Sequence, residues 1–201
     1  MLWLAAAPLV LASRSAIRRT LLETAGVPIE IRPADIDERG IEAKAPLQTL
    51  VAVAALLARE KAAVIARTMP GRLVLGADQV LSLNGERFSK PADRAAGRAQ
   101  LAELSGQTHE LYSAIAFARN DEALFEHIGV ARLTMRAFSE RFLDDYLDAV
   151  GDAATASVGA YQLEGLGIQL FERIEGDYFT VLGLPLITAL DFLRRHGCLV
   201  E

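Results

Sequence analysis

Two rhythms of apolar and polar positions run along this chain. Short, continuous apolar runs suit strands, and stretches with apolar residues three and four apart suit helices. Leu9–Ala12 reads as a buried first strand. Ile17–Ala25 reads as a helix with Ser13 or Ser15 as its cap and Gly26 as its stop. Pro28–Arg32 predicts a short strand, Asp35–Pro46 a polar loop, and Leu47–Arg67 a long helix closed by Pro70 and Gly71. On that helix Leu50, Val53, Ala54, Leu57, Lys61 and Ile65 fall near one face. Leu73–Ala77 is continuously apolar and ends at Asp78, the pattern of a strand buried on both sides with a carboxylate at its carboxyl end. Asn84–Gly85 marks a hairpin turn between Val80–Leu83 and Arg87–Phe88. A helix follows over Pro91–Leu104, with Pro91 in its first turn. His109–Ala118 and Phe125–Met135 predict two longer strands joined by a polar turn, and Ser139–Val150 a helix capped by Ser139. Ile168–Phe171 and Phe179–Val181 read as short strands, and Pro185–His196 as the last helix, ended by Gly197. The expectation is an α/β chain, a single domain over residues 1–201, with a mixed central sheet and flanking helices.

Composition narrows this picture. The chain has 201 residues, 52% hydrophobic and 23% charged, enough for a sizeable core. A net charge of −5 gives no global attraction to nucleic acid or anionic membrane, so any phosphate site must be a local basic pocket. No nucleic-acid partner and no membrane partner is expected. One cysteine, Cys198, excludes an intramolecular disulfide and a cysteine-rich zinc site, and fits a reducing, cytoplasmic setting. The apolar start, Met1–Ser13, lacks a basic leader and is interrupted by Pro8, so it reads as part of the fold and not as a signal peptide.

Several constellations offer chemistry. Leu11–Arg19, with the sequence LASRSAIRR, places Ser13, Ser15, Arg14, Arg18 and Arg19 where a strand turns into a helix. Free backbone N–H groups and arginine forks at such a point suit a phosphate, although ordinary caps and solvent-facing arginines explain the same residues. Asp35, Asp37 and Glu38 cluster carboxylates that suit Mg²⁺ or, equally, a solvated surface. Asp78 can bind a metal or take a proton from water, or simply cap a turn. Lys61 on the apolar stripe needs a partner, and Lys90 precedes Pro91; both can neutralise phosphates. Gly159–Gly167 is glycine-rich without being a phosphate-binding loop motif, and its Tyr161 reads either as core packing or as a stacking platform for a base. His109, His127 and His196 have no companions at triad or zinc spacing and read as structural or surface residues.

Taken together, these segments resemble the Maf family of nucleotide pyrophosphatases. LASRSAIRR followed by Leu21-Leu22, then Asp37-Glu38, Arg59–Ala62, Gly76–Asp78, Lys90-Pro91, Leu104–Thr108 and Gly183–Leu186 occur in the family's order. Ala16 stands where that pattern has proline, and Ile17 where it has arginine or tryptophan. The resemblance implies a fold similar to the inosine triphosphate pyrophosphatases, two lobes around a cleft, a divalent cation (Mg²⁺ or Mn²⁺) and a homodimer. It implies hydrolysis of a nucleoside triphosphate to the monophosphate and pyrophosphate. Asp78 is then the general base, with Lys61 and Lys90 beside it in the catalytic set. Glu38 and Asp78 hold the metal, and Ser13, Ser15 and Arg18 bind the substrate.

Ile17, Gln79 and Glu164 resemble the family's selectivity positions. The branch acting on dTTP and UTP carries threonine and glutamine where this chain has Gln79 and Glu164. The segments Ala160–Gly165 and Leu170–Gly176 are similar to the branch acting on 7-methyl-GTP. A buried glutamate at position 164 accepts hydrogen bonds from the N1–H and 2-amino group of a guanine. The expected substrate is therefore 7-methyl-GTP or another modified nucleotide, with dTTP/UTP hydrolysis and a non-catalytic, nucleotide-binding role in cell division as alternatives.

Overall fold

Why the first strand leads where it does is set by its neighbours. In the computed structural model, which describes residues 2–45 and 49–201, β1 (Leu9–Leu11) is wholly buried and pairs in parallel with two strands. On one side lies β2 (Ile29–Ile31), with Leu9 opposite Ile29, and on the other β3 (Val74–Leu83), with Val10 opposite Val74. Parallel strands need crossovers, and helices α1 (Ala16–Thr24) and α3 (Leu50–Thr68) supply them. A short β4 (Glu86–Phe88) returns antiparallel on β3 through Asn84 and Gly85, both with positive φ as such a two-residue turn requires. After α4 (Arg94–Leu104) come β5 (Thr108–Arg119) and β6 (Glu122–Met135). β7 (Phe171–Glu175) pairs antiparallel with β6. The sheet order is β2-β1-β3-β5-β6-β7, with β4 on β3, so the sheet is mixed as the sequence pattern predicts.

The chain divides into two compact units. The first comprises Met1–Gln79, Ser113–Gly129 and Gly183–Glu201. Its core includes Leu9, Leu11, Leu22, Leu57 and Leu75, with Phe192 of α7 (Leu186–Arg195) stacked on Phe117 at 4.2 Å and on Phe125 at 5.0 Å. The second comprises Val80–Tyr112 and Val130–Leu182. There Leu81, Leu101, Leu104, Leu111 and Leu133 are fully buried, and α4 is tied to α5 (Glu140–Val150) by Arg98, which donates to Asp144 and Glu140. Among the described residues no helix is long and apolar enough to cross a membrane.

Five local expectations need correction. The polar stretch from Asp35 contains a helix, α2 (Glu38–Lys44), because Asp37 accepts a hydrogen bond from the Gly40 N–H at 3.0 Å, with acid in the first turn and Lys44 in the last. The long helix begins at Leu50, capped by Thr49; the predicted boundary at Pro46 and Leu47 lies outside the described residues. Pro91 precedes α4, whose first turn is capped by Asp93. Residues Leu166–Leu170 form a 3₁₀ turn, and the strand expected there starts at Phe171. Finally, Tyr178–Val181 is a helical turn, α6, because Asp177 accepts from the Thr180 N–H at 2.8 Å.

Candidate active site

Asp78 does not end its strand. β3 runs unbroken from Val74 to Leu83, so Asp78 sits in mid-strand, with 7% of its surface exposed. The approach of helix α3 explains how a carboxylate is tolerated there. A Cβ at Gly76 would stand 2.2 Å from the Ala58 carbonyl oxygen and 2.6 Å from the Ala62 nitrogen, so only glycine allows helix and strand to come this close. Lys61 precedes Ala62 on α3, and its Nζ reaches Asp78 Oδ1 at 2.6 Å. The same ammonium lies 2.7 Å from Glu38 Oε1. One lysine therefore joins two of the sequence-predicted carboxylates. Lys61 and Asp78 are largely buried in the pair, whereas the Glu38 side chain is 43% exposed.

Asp78 Oδ2 is buried and has no hydrogen-bond partner among the described residues. An acceptor left in that condition is costly unless water, a metal or substrate engages it. Burial pushes the Asp78 carboxyl above the ordinary aspartate range; Lys61 and then Arg18 pull it down, and Glu38 adds to the rise. The result is a carboxylate more basic than one in water.

The helix start at α1 is built differently from a bare anion site. Ser15 is the cap, its Oγ accepting from the Arg18 N–H, and Ser13 Oγ accepts from the Ser15 N–H at 3.3 Å. Arg18 turns inward. Its Nη1 donates to Ser13 Oγ at 3.1 Å and to the Ala77 carbonyl at 2.8 Å, and its Nε donates to the Gly183 carbonyl at 2.7 Å. The guanidinium thus straps the backbone on the near side of Asp78, and burial, opposed by Asp78 and Glu38, lowers its pKa. Gln79 donates from its amide to Ser113 Oγ at 3.0 Å, and Ile17 is half-buried on α1. Gly183 and Ser113 were not singled out from sequence as site residues. The sequence marks Gly183 only as the start of Gly183–Leu186, and Ser113 only as a hydroxyl just before the apolar run Ala114–Ala118.

The remaining expectations separate. The acidic cluster does not form a cage: Asp35 is exposed and 3.6 Å from Arg14, Asp37 caps α2, and only Glu38 turns to Lys61. No group of three metal-ligating side chains exists among the described residues. Among the described residues Asp78 and Glu38 share only the Lys61 ammonium as an ion-pair partner, and their carboxylates are oxygen donors of the kind a hard cation takes alongside water and phosphate oxygens. Lys90 is exposed and belongs to the second unit. Glu164 belongs there too, and it is exposed, not the buried acceptor the sequence predicts, because it stands on a surface turn closed by the Gly165 N–H donating to the Gln162 carbonyl at 3.2 Å. Tyr161 is core packing, buried against Phe171 with ring centroids 4.9 Å apart. His109 is a buried structural residue, and His196 stacks on Phe192 at 3.9 Å.

Fold and site define an α/β protein whose first unit holds a buried carboxylate–ammonium pair beside an arginine-strapped helix start. The chain belongs to the Maf-like protein family, whose model matches residues 8–196. A nucleoside triphosphate pyrophosphatase of Rhodopseudomonas palustris is 56% identical over 198 residues, covering 98% of each chain. One of that name from Bradyrhizobium diazoefficiens is 55% identical over 97% of this chain and 96% of its own. A 7-methyl-GTP pyrophosphatase of Brucella abortus is 49% identical over 95% of this chain and 97% of its own. Among solved structures, a HAM1 protein from Coxiella burnetii matches with a TM-score of 0.43 and 21% identity, over 64% of this chain and 72% of that one.

Proposed function

We infer that this protein hydrolyses nucleoside triphosphates between the α and β phosphates, giving the monophosphate and pyrophosphate. The family membership supports the activity, and one observation carries the choice of Asp78 as base: Oδ1 is held by Lys61 while the buried Oδ2 has no partner. In the proposed reaction Asp78 Oδ2 accepts a proton from a water molecule as that water's oxygen attacks the α-phosphorus, and the bond to the pyrophosphate oxygen breaks in line. Lys61 holds Asp78 in orientation and offsets the negative charge gathered there. Arg18 keeps the backbone at Ala77 and Gly183 in register beside it. Mg²⁺ or Mn²⁺, held by Glu38 and Asp78, would supply charge neutralisation at the phosphate oxygens. Ser13 and Ser15 lie at the same helix start and are proposed to meet substrate there; the support for Lys90 in the catalytic set is its Lys90-Pro91 motif.

For the base, we propose selectivity for 7-methyl-GTP or a related modified nucleotide. Gln79, Glu164 and the 49% identical 7-methyl-GTP pyrophosphatase support it. The test is steady-state hydrolysis of a panel holding 7-methyl-GTP, GTP, dTTP and UTP, with pyrophosphate read by a coupled phosphatase. The expected result is the highest kcat/KM for 7-methyl-GTP. A clear preference for dTTP or UTP refutes the selectivity reading, and no turnover of any nucleotide refutes the activity.

A further inference from the structure

The second unit holds a polar pair that the reaction does not use. His109 is fully buried, and its Nε2 lies 2.8 Å from the Tyr161 hydroxyl, while Nδ1 has no hydrogen-bond partner among the described residues. The Tyr161 ring stands edge-on to Phe171, and the His109 ring lies 6.0 Å from Phe171. Tyr161 belongs to the Gly159–Gly167 loop, whose backbone is tightly constrained. Gly159 and Ala160 both have positive φ, 79° and 61°, and alanine rarely adopts that conformation without tertiary support. A Cβ at Gly159 would meet Tyr161 Cε1 at 2.7 Å and Leu81 Cδ1 at 2.8 Å, so the ring lies directly against the start of its own loop. Ser157 Oγ donates to the Tyr161 carbonyl at 2.5 Å, and a Cβ at Gly167 would stand 2.4 Å from the Gln162 carbonyl oxygen. The loop is therefore packed at its entry and its return, with Tyr161 as the pin between them. Glu164 is carried three residues beyond that pin, exposed.

We propose that His109 is a positioning residue for base selection, fixing through the Tyr161 hydroxyl the loop that presents Glu164. The proposal rests on the reading of Glu164 as the residue that meets the base. Apolar packing alone leaves a ring free to slide along its neighbours, whereas one directional bond in a low-dielectric pocket selects a single ring orientation. That orientation is transmitted along Gln162 and Leu163 to the Glu164 carboxylate. His109 itself touches no substrate in this account.

Tyr161→Phe removes the hydroxyl and keeps the ring, His109→Leu removes the imidazole, and His109→Gln keeps an amide able to bond to the hydroxyl. Nucleotide affinities are measured by calorimetry beside kcat and KM for the same four triphosphates. The expected result for Tyr161→Phe and His109→Leu is a KM for the preferred nucleotide raised about ten-fold, a loss of one oriented hydrogen bond. Selectivity between best and worst nucleotide falls in proportion, kcat stays within about three-fold, and the double variant is no worse than either single one. His109→Gln restores most of the selectivity. A Tyr161→Phe protein with lowered Tm but unchanged relative affinities overturns the proposal, since a packing role moves Tm alone. Should His109→Leu not fold, Tyr161→Phe and His109→Gln decide the matter. A wild type that turns over no triphosphate refutes the activity reading instead, and one that binds every base alike refutes both the Glu164 reading and this one.

Discussion

Asp78 joins two demands that conflict in a single side chain. It is buried, which favours the neutral acid, and it must be ionised to accept a proton. Because burial raises its pKa in the fold, the sign of its effect on stability follows: the ionised form at neutral pH weakens the fold, and that cost disappears as pH falls through the raised value towards the ordinary 3.8. Asp78→Asn should therefore lose about 10²–10⁴ in kcat while unfolding at an equal or higher temperature than wild type at pH 7. The stability difference should close on acidification, as thermal melts at stepped pH will show. A variant less stable than wild type at neutral pH contradicts the assignment of burial as the dominant cause. Lys61→Met should act in the opposite sense on the carboxyl. Removing the ammonium 2.6 Å away deletes the strongest influence lowering the Asp78 pKa, so the acid limb of kcat/KM should move to higher pH. It should also cost about 3–5 kcal/mol in stability, because it strands the buried Asp78 carboxylate without a counter-charge, whereas Asp78→Asn leaves Lys61 paired with Glu38 at 2.7 Å. A limb that stays put rules Asp78 out as the titrating base. At this scale the sequence was informative about identity and poor about setting. It marked Asp78, Lys61 and Glu38 separately. That one lysine joins the two carboxylates depends on a helix and a strand meeting in space, which no spacing along the chain encodes.

Among the elements, the meeting of α3 and β3 places the chemistry. Ala58, Ala62 and Gly76 form the contact, and all three are small, so Lys61 is brought within reach of a mid-strand carboxylate. Gly76→Ala puts a methyl where 2.2 Å separates it from the Ala58 carbonyl, which must move because backbone cannot rotate away. Overpacking of this kind costs about 1–3 kcal/mol. The specific expectation is that Gly76→Ala lowers kcat more than Gly40→Ala does, although a Cβ at Gly40 also stands close, at 2.2 Å, but to a flexible Asp37 carboxylate. Equal losses in kcat for the two variants contradict the view that the helix–strand spacing sets the Lys61–Asp78 pair. Long elements were legible because their periodicity extends over several turns or pleats: α3, α5, β5 and β6 fall close to their predicted ranges. Short ones were not. Phe179–Val181 is apolar enough for a strand, but the Asp177 cap decides for a helical turn. The Asp35 stretch is polar all along, and its helix is set by the Asp37 cap and by charges placed at its two ends. β3 was cut at Asp78 because a charged residue in a buried strand breaks the apolar run; the ion pair that makes it tolerable lies 17 residues away in sequence.

For the molecule as a whole, acid stability separates the two units. Asp78 belongs to the first, and His109 belongs to the second. His109 is held neutral by burial, its pKa pushed down to about 4 from 6.5. A depressed histidine contributes stability that is complete above the unfolded-state value near 6.5 and is lost as pH falls towards 4, because the unfolded chain takes up the proton first. The full loss is on the order of 3 kcal/mol, with roughly half to two-thirds of it incurred by pH 5. Asp78 works in the opposite direction as pH falls through its raised value, since protonation there favours the fold. Calorimetry between pH 7 and pH 4.5 should therefore show a decline in stability that His109→Gln largely removes and Asp78→Asn leaves in place or deepens. If the two units melt in separate transitions, the His109 effect should fall on one transition only, that of the unit containing Leu101, Leu111 and Leu133. Equal acid sensitivity of wild type and His109→Gln means that the unfolding proton is taken up elsewhere. Tyr161 is bonded to the same imidazole, which stays neutral in the fold until pH nears 4, so nucleotide selectivity should hold through the upper part of that decline; selectivity that falls from pH 6.5 in step with stability, while the unit is still folded, is incompatible with a loop held by the neutral His109.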